Sequence, residues 1–256
     1  MPAPVLVTRA DDARILVVTL NRPEARNAVN GEVARGVAEA LDLLDADDDL
    51  RVGVLTGVGK GFSAGMDLKG FVSGDDPTEG GRGFGGIVES PPRKPLVAAI
   101  EGFALAGGLE IVLACDLIVA ARDALLGLPE VKRSLVAAGG GLLRLATRIP
   151  YSVAAELALG GEPVAAARLH EVGLVNRLTE PGDALATALT IASGIAANAP
   201  LALAASKEIL ASAGDWGLSD GWSRQVEIAT AVAGSADARE GAMAFAERRD
   251  PVWRGR

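Results

Sequence analysis

Apolar positions follow two rhythms along the first half of this chain. Short β-branched runs at residues 5–9 and 14–20 predict two strands, with Asp11-Asp12 as the turn between them. Val33, Val37, Leu41 and Leu44 then recur at helical spacing and predict a helix over 32–45. Compact apolar runs at 52–55, 96–100 and 117–120 read as buried strands, with a short helix over 107–114 between the last two. That alternation predicts an α/β fold, a sheet with helices packed on it. Past Arg144 the strand signal nearly stops. Residues 153–159, 165–171, 183–197, 201–213 and 218–233 read as helices, punctuated by Gly or Pro. The expected organisation is a mixed core over 1–198 that carries the active site, followed by a helical region over 199–256. Between strand signals, 73–93 is rich in Gly, Asp, Pro and Arg, and it reads as a mobile surface loop with one helical turn.

Composition narrows the function classes. With 256 residues, 49% hydrophobic and 23% charged, the chain reads as globular, and two unrelated domains are not required. Aromatics are only 4%, so the core has to be aliphatic and rich in alanine. A net charge of −8 and the lack of a basic stripe argue against nucleic acid as a partner. The single cysteine, Cys115, excludes an internal disulfide and a cysteine zinc cage, and its apolar setting reads as a buried, inert thiol. No basic segment followed by an apolar stretch opens the sequence, so no signal peptide is expected. The most apolar stretch, 95–121, is interrupted by Glu101, Glu110 and Asp116, which argues against a membrane span. A soluble, cytoplasmic protein is the expectation.

Two glycine-led loops carry the chemistry: Gly61-Phe62-Ser63-Ala64-Gly65-Met66-Asp67 and Gly102-Phe103-Ala104-Leu105-Ala106-Gly107-Gly108-Leu109-Glu110. Glycine lets backbone approach a ligand closely, and a pair of preorganised N–H groups can hold a developing oxyanion. Glu110 follows the second loop inside an apolar run, where burial raises a carboxyl pKa. Glu130 comes twenty residues on, behind Pro129. Two nearby carboxylates do not ionise independently, so one can hold a proton while the other stays charged. Such a set suits acid–base chemistry on an acyl thioester. A third cluster, Gly139-Gly140-Gly141, lacks the Lys-Ser/Thr of a phosphate loop and reads as a turn into a helix near Leu142, beside Glu130. His170, the sole histidine, has no nucleophile or metal partners in pattern and reads as structural.

These loops, together with Leu20-Asn21-Arg22-Pro23-Glu24-Ala25-Arg26-Asn27-Ala28, Leu128-Pro129-Glu130, Gly139-Gly140-Gly141-Leu142-Leu143-Arg144-Leu145, Gly173-Leu174-Val175-Asn176 and Ala244-Phe245-Ala246-Glu247-Arg248-Arg249-Asp250-Pro251, resemble the crotonase, or enoyl-CoA hydratase, superfamily along nearly the whole chain. The resemblance implies a ββα spiral core with a helical C-terminal region that forms trimers, often stacked in pairs. It implies oxyanion-hole N–H groups at Met66 and Gly107, with Glu110 activating water and Glu130 handling the α-carbon proton. Which of the two holds a proton at rest stays open. Ala25, Arg26, Ala64, Asp67, Leu68, Lys69, Gly108 and Gly140 match substrate- or CoA-contacting positions, with Asp67 more suited to bracing its own loop.

Reversible hydration of a trans-2-enoyl-CoA to a 3-hydroxyacyl-CoA is the activity the resemblance implies, with no metal or cofactor beyond the CoA of the substrate. The alternatives are another crotonase reaction, enoyl-CoA isomerisation or carnitinyl-CoA dehydration, and, from another class, a non-catalytic acyl-CoA- or RNA-binding scaffold. Met66, where the family usually has a smaller residue, and the 73–93 loop are where such differences would arise. Acyl-chain length is not legible here.

Overall fold

A computed structural model describes residues 2–256. The chain opens with β1 (Val5–Arg9) and β2 (Ile15–Leu20), then passes through α1 (Gly31–Ala46) to β3 (Val52–Gly57). Next come α2 (Leu68–Val72), a small hairpin of β4 (Thr78–Glu79) and β5 (Gly83–Phe84), and the strands β6 (Leu96–Ile100) and β7 (Phe103–Leu105). The helix α3 (Gly107–Leu113) leads to β8 (Leu117–Ala121) and β9 (Leu125–Gly127). After α4 (Gly141–Arg148) and α5 (Tyr151–Gly160) come β10 (Val164–Ala165), α6 (Ala166–Glu171) and β11 (Arg177–Thr179). Four helices close the chain: α7 (Ala184–Ala196), α8 (Pro200–Ser212), α9 (Leu218–Ala233) and α10 (Ala236–Glu247).

Six strands form one sheet in the order β1-β2-β3-β6-β8-β11, in which only β1 runs antiparallel to its neighbour. Parallel strands need both faces covered. On one face α1 lays the stripe Val33, Val37, Leu41 and Leu44, in a cluster with Leu16, Val18 and Leu55. Its first turn is capped by Asn30, which accepts the Val33 N–H at 3.0 Å. On the other face α7 presents Ala184, Ala188, Ala192 and Ala196, one per turn, to Val52, Val54, Val97 and Val119. Four methyl groups in a row let the helix approach the sheet closely. A larger side chain at Ala188 would overpack that seam by about 1–3 kcal/mol. A second sheet, β10-β9-β7, stands beside the glycine loops and carries the chain into α3.

The helices α8 and α9 bury no residue, and Leu210, Leu218, Trp222, Val226 and Phe245 are exposed along the C-terminal region. The tail nonetheless docks. Both carboxylate oxygens of the buried Asp237 accept backbone N–H groups, from Arg254 and Gly255, at 2.8 Å each. Trp253 donates its indole N–H to the Ala197 carbonyl at 2.8 Å. Among the described residues no single helix is long and apolar enough to cross a membrane.

The structure corrects the mobile surface loop expected over 73–93, while the one helical turn expected there is present at Gly80–Arg82. The segment holds the β4–β5 hairpin and buries Ile87 and Val88. Gly86, at φ +69°, sits so close to α1 that an added Cβ would fall 2.0 Å from the Ala34 carbonyl oxygen. Its glycines serve close packing, and Arg82 anchors the segment to Asp42 at 2.7 Å. The short strands β7, β9, β10 and β11 and the helix α10 go beyond the periodicity reading.

Candidate active site

The first glycine loop is shaped by a buried polar knot. Asn27, at φ +53°, accepts the Arg22 N–H and donates to the Val58 and Gly61 carbonyls, each at 2.9 Å. Its own carbonyl accepts the Ser63 hydroxyl at 2.8 Å, and that hydroxyl oxygen accepts the Gly65 N–H at 3.1 Å. Gly65, at φ +92°, lies against the second loop: a Cβ there would meet the Gly107 nitrogen at 2.9 Å and the Ala106 methyl at 2.8 Å. Only glycine fits that contact. Beyond it, Val29 bridges the chain by donating to the Gly65 carbonyl and accepting from Asp67, both at 2.8 Å, and this skips the Met66 N–H.

The second loop turns from β7 into α3 at Ala106, whose φ of +52° and ψ of −130° form a conformation that L residues rarely adopt. The Ala106 N–H is held by the Gly127 carbonyl at 2.9 Å. Gly107 is then the first helical residue, where an N–H has no intrahelical partner. Among the described residues neither the Met66 nor the Gly107 amide donates a backbone hydrogen bond. Gly107 is also required by packing, because an added Cβ would fall 2.5 Å from the Phe84 ring. Gly108 packs against the Ser63 backbone.

Glu110, on α3, is only 5% exposed. Its Oε1 accepts the Gly141 N–H at 3.0 Å, and Gly139 abuts its Oε2. Burial raises its pKa, an effect opposed by the amides of Gly141 and Gly139 and by the charge of Arg144. Glu130 sits in the single turn Pro129–Arg133 after β9 and is half-buried. Burial raises its pKa too; its own backbone amide opposes the shift, and the Glu110 charge adds to it. Its Oε2 is buried with no hydrogen-bond partner among the described residues. Glu130 therefore senses the charge of Glu110, and its Oε2 is left without a partner among the described residues.

The third glycine cluster turns the chain into a helix near Leu142, as expected. Gly139 and Gly141 face Glu110, and Gly140, at φ +84°, opens α4 beside the Arg144 guanidinium. Among the residues matched to CoA contacts, Arg26 and Ala64 adjoin, the Ala64 N–H donating to the Arg26 carbonyl at 3.1 Å. Ala25 precedes them in a short turn, and Leu68 and Lys69 open α2 in exposed positions. Asp67 braces its loop, capping α2 through Gly70 at 3.2 Å and pairing with Arg22 at 3.0 Å. The Gly70 amide first, and then Arg22, hold its carboxyl below the ordinary range despite partial burial. Among the described residues neither Arg26 nor Lys69 forms an ion pair. An open cleft of about 950 Å³, lined by Arg22, Pro23 and Glu24 among others, borders this corner, but neither Glu110 nor Glu130 lines it.

Sequence reasoning gave no role to Asn27, Ser63, Phe84, Ala106 or Arg144. The glycines around Ser63 were a signal that the loop needs an internal brace, whereas Phe84 and Arg144 come from distant segments.

The model of the enoyl-CoA hydratase/isomerase family matches residues 10–256. A carnitinyl-CoA dehydratase of Salmonella enteritidis is 39% identical over 250 residues, covering 94% of this chain and 95% of its own. An enoyl-CoA hydratase of Mycobacterium tuberculosis is 40% identical over 248 residues, covering 94% and 93%. The crystal structure of an enoyl-CoA hydratase from Mycobacterium marinum superposes with a TM-score of 0.96 at 54% identity, covering 99% of this chain and 100% of that one.

Proposed function

This chain belongs to the enoyl-CoA hydratase/isomerase family, and we propose that it adds water reversibly across the double bond of a 2-enoyl-CoA, giving a 3-hydroxyacyl-CoA. What supports this reading is that Glu110 lies on the helix opened by Gly107 and Glu130 has its pKa raised by burial and then by the charge of Glu110, while among the described residues the Met66 and Gly107 amides donate no backbone hydrogen bond.

Conjugate addition of water moves negative charge onto the thioester oxygen. The Met66 and Gly107 N–H groups receive it, and one such donor is worth about 3–4 kcal/mol in comparable sites. Glu110, its anion steadied by the amides of Gly141 and Gly139, takes a proton from the water as that oxygen bonds to the β-carbon. Glu130, whose pKa is raised by burial and by the charge of Glu110, delivers a proton to the α-carbon. One proton is taken and one given, and transfer within the pair resets the site. Arg26 and Lys69, free of ion pairs, are suited to the phosphates of CoA, with Ala25, Ala64, Leu68, Gly108 and Gly140 along the path of the carrier. CoA enters as part of the substrate, and this reading calls on no separate cofactor.

Carnitinyl-CoA dehydration is the second reading, favoured by the Salmonella relative, and it runs the same atoms in reverse on a different acyl group. Assembly as a trimer or a pair of trimers in the cytoplasm completes the proposal, supported by the unpaired apolar residues of α9 and α10.

The test follows the absorbance of the conjugated thioester with 2-enoyl-CoA of short, medium and long chain, beside carnitinyl-CoA. Rapid loss with one or more 2-enoyl-CoA chains is expected. No turnover of any of them, despite measurable binding, would remove the hydratase reading, and turnover of carnitinyl-CoA alone would select the second.

A further inference from the structure

Arg144 stands out among the groups this mechanism does not use. It is a half-buried guanidinium on the first turn of α4, and among the described residues it forms no ion pair. Its partners are carbonyls. Nη2 donates to the Val88 carbonyl at 2.5 Å, and Nη1 reaches the Gly139 carbonyl at 3.4 Å. An added Cβ at Gly140 would meet Nη1 at 2.5 Å, so the turn is wrapped around this side chain. Val88 ends the segment whose Phe84 ring rests on Gly107, one of the two candidate oxyanion donors. Gly139 and Gly141 flank the carboxyl of Glu110. One planar cation therefore ties the turn that grips the base to the segment that backs the amide.

An unpaired charge in such a place costs desolvation, and a neutral side chain could fill the volume. We propose that Arg144 is a positioning residue of the hydration reaction, one that fixes the Gly139–Gly141 turn on Glu110 and supplies the positive field in which that carboxyl works. This rests on the hydratase reading of the site. The groups facing Glu110 are few. Arg144 comes from α4, and Glu130, itself near Arg133, comes from the Pro129–Arg133 turn. Arg148, the other cation near Arg144, acts on it by repulsion, after the larger effect of burial. The field has a defined sign. Removing the guanidinium takes a favourable charge from the Glu110 anion, so its pKa rises and the ionised base is reached only at higher pH.

The test compares Arg144→Met and Arg144→Lys with wild type in the pH dependence of kcat/KM, after confirming folding by circular dichroism. Arg144→Met is expected to move the acid limb to higher pH and to lower kcat about tenfold or more, with KM within about twofold. Arg144→Lys keeps the charge without the planar fork, so its limb should return toward wild type while kcat stays low. A wild-type limb in folded Arg144→Met, or a change confined to KM, would overturn the proposal. Should Arg144→Met not fold, Arg144→Lys with wild-type kcat would overturn it, and a lowered kcat would support it.

If wild type turns over no 2-enoyl-CoA, the hydratase reading fails by itself. The Arg144 claim is then read from the infrared titration of the Glu110 carboxyl, assigned by its loss in Glu110→Gln. An upward move in Arg144→Met, or failing that a wild-type midpoint in Arg144→Lys, supports the field around Glu110. An unmoved midpoint in Arg144→Met, or a raised one in Arg144→Lys, contradicts it.

Discussion

Glu110 and Glu130 are the same side chain in two different settings, and the difference sorts their tasks. Glu110 is the more deeply buried, yet its oxygens meet the amides of Gly141 and Gly139 and the field of Arg144, all of which favour its anion. Glu130 is less buried, but its Oε2 meets no donor among the described residues, and the charge of Glu110 acts on it more strongly than the opposing charge of Arg133. Burial raises the pKa of both; the charge of Arg144 opposes that shift at Glu110, and the charge of Glu110 adds to it at Glu130. A base is kept ready by donors around its anion, and an acid by their absence. The backbone follows suit. Glu110 rides on a helix locked by glycines on two sides, whereas Glu130 hangs on one turn behind a proline.

Breaking the comparison outright should give the largest effects. Glu110→Gln is expected to lower kcat about a thousandfold, and Glu130→Gln by at least about a hundredfold, both read by single-turnover absorbance. Moving Glu110 without changing it should come next. Gly139→Ala would place a Cβ 2.8 Å from Oε2, and it is expected to cost about a hundredfold in kcat while the protein still binds CoA thioester.

Stability should shift in the opposite sense. A buried carboxyl whose folded pKa is raised binds more protons folded than unfolded, so its contribution to stability is largest at low pH. That contribution declines as pH rises through the folded pKa. Glu110→Gln should therefore raise Tm at pH 7 relative to wild type, with the difference shrinking toward pH 4. An unchanged or lower Tm would mean the amide donors more than offset burial. Ala106→Gly should relax a strained turn and add about 1 kcal/mol to unfolding in urea, since such backbone costs about 1–3 kcal/mol and glycine returns part of the gain as entropy. Smallest in consequence, Cys115 has its thiol pKa pushed up to about 12 by burial and should resist iodoacetamide until the chain unfolds.

How much of this was legible follows the range of each interaction. The α1 stripe and the runs of β6 and β8 lie within one element, so periodicity found them nearly to the residue. The motifs that carry the proposed carboxylates and amide donors are contiguous stretches of sequence, so they stand out there. The grip of Gly139 and Gly141 on Glu110 spans some thirty residues of chain, and nothing local in the sequence pairs the cluster with that carboxyl. The 73–93 segment misled for a related reason. Glycines that look like freedom in a sequence are, at Gly85 and Gly86, contact points against Ile111 and Ala34. Three-residue strands such as β7 and β11 carry too few positions for a period to show.

The central claim is that Glu110 and Glu130 act as one unit in the hydration step. The most direct measurement is the hydration rate of Glu110→Gln, Glu130→Gln and the double variant on the best 2-enoyl-CoA. Groups that act together are strongly non-additive, so the double variant should be within about tenfold of the slower single. If the two losses multiply, or if either single variant keeps the wild-type rate, the carboxyls do not act as a unit and this account of the site is wrong.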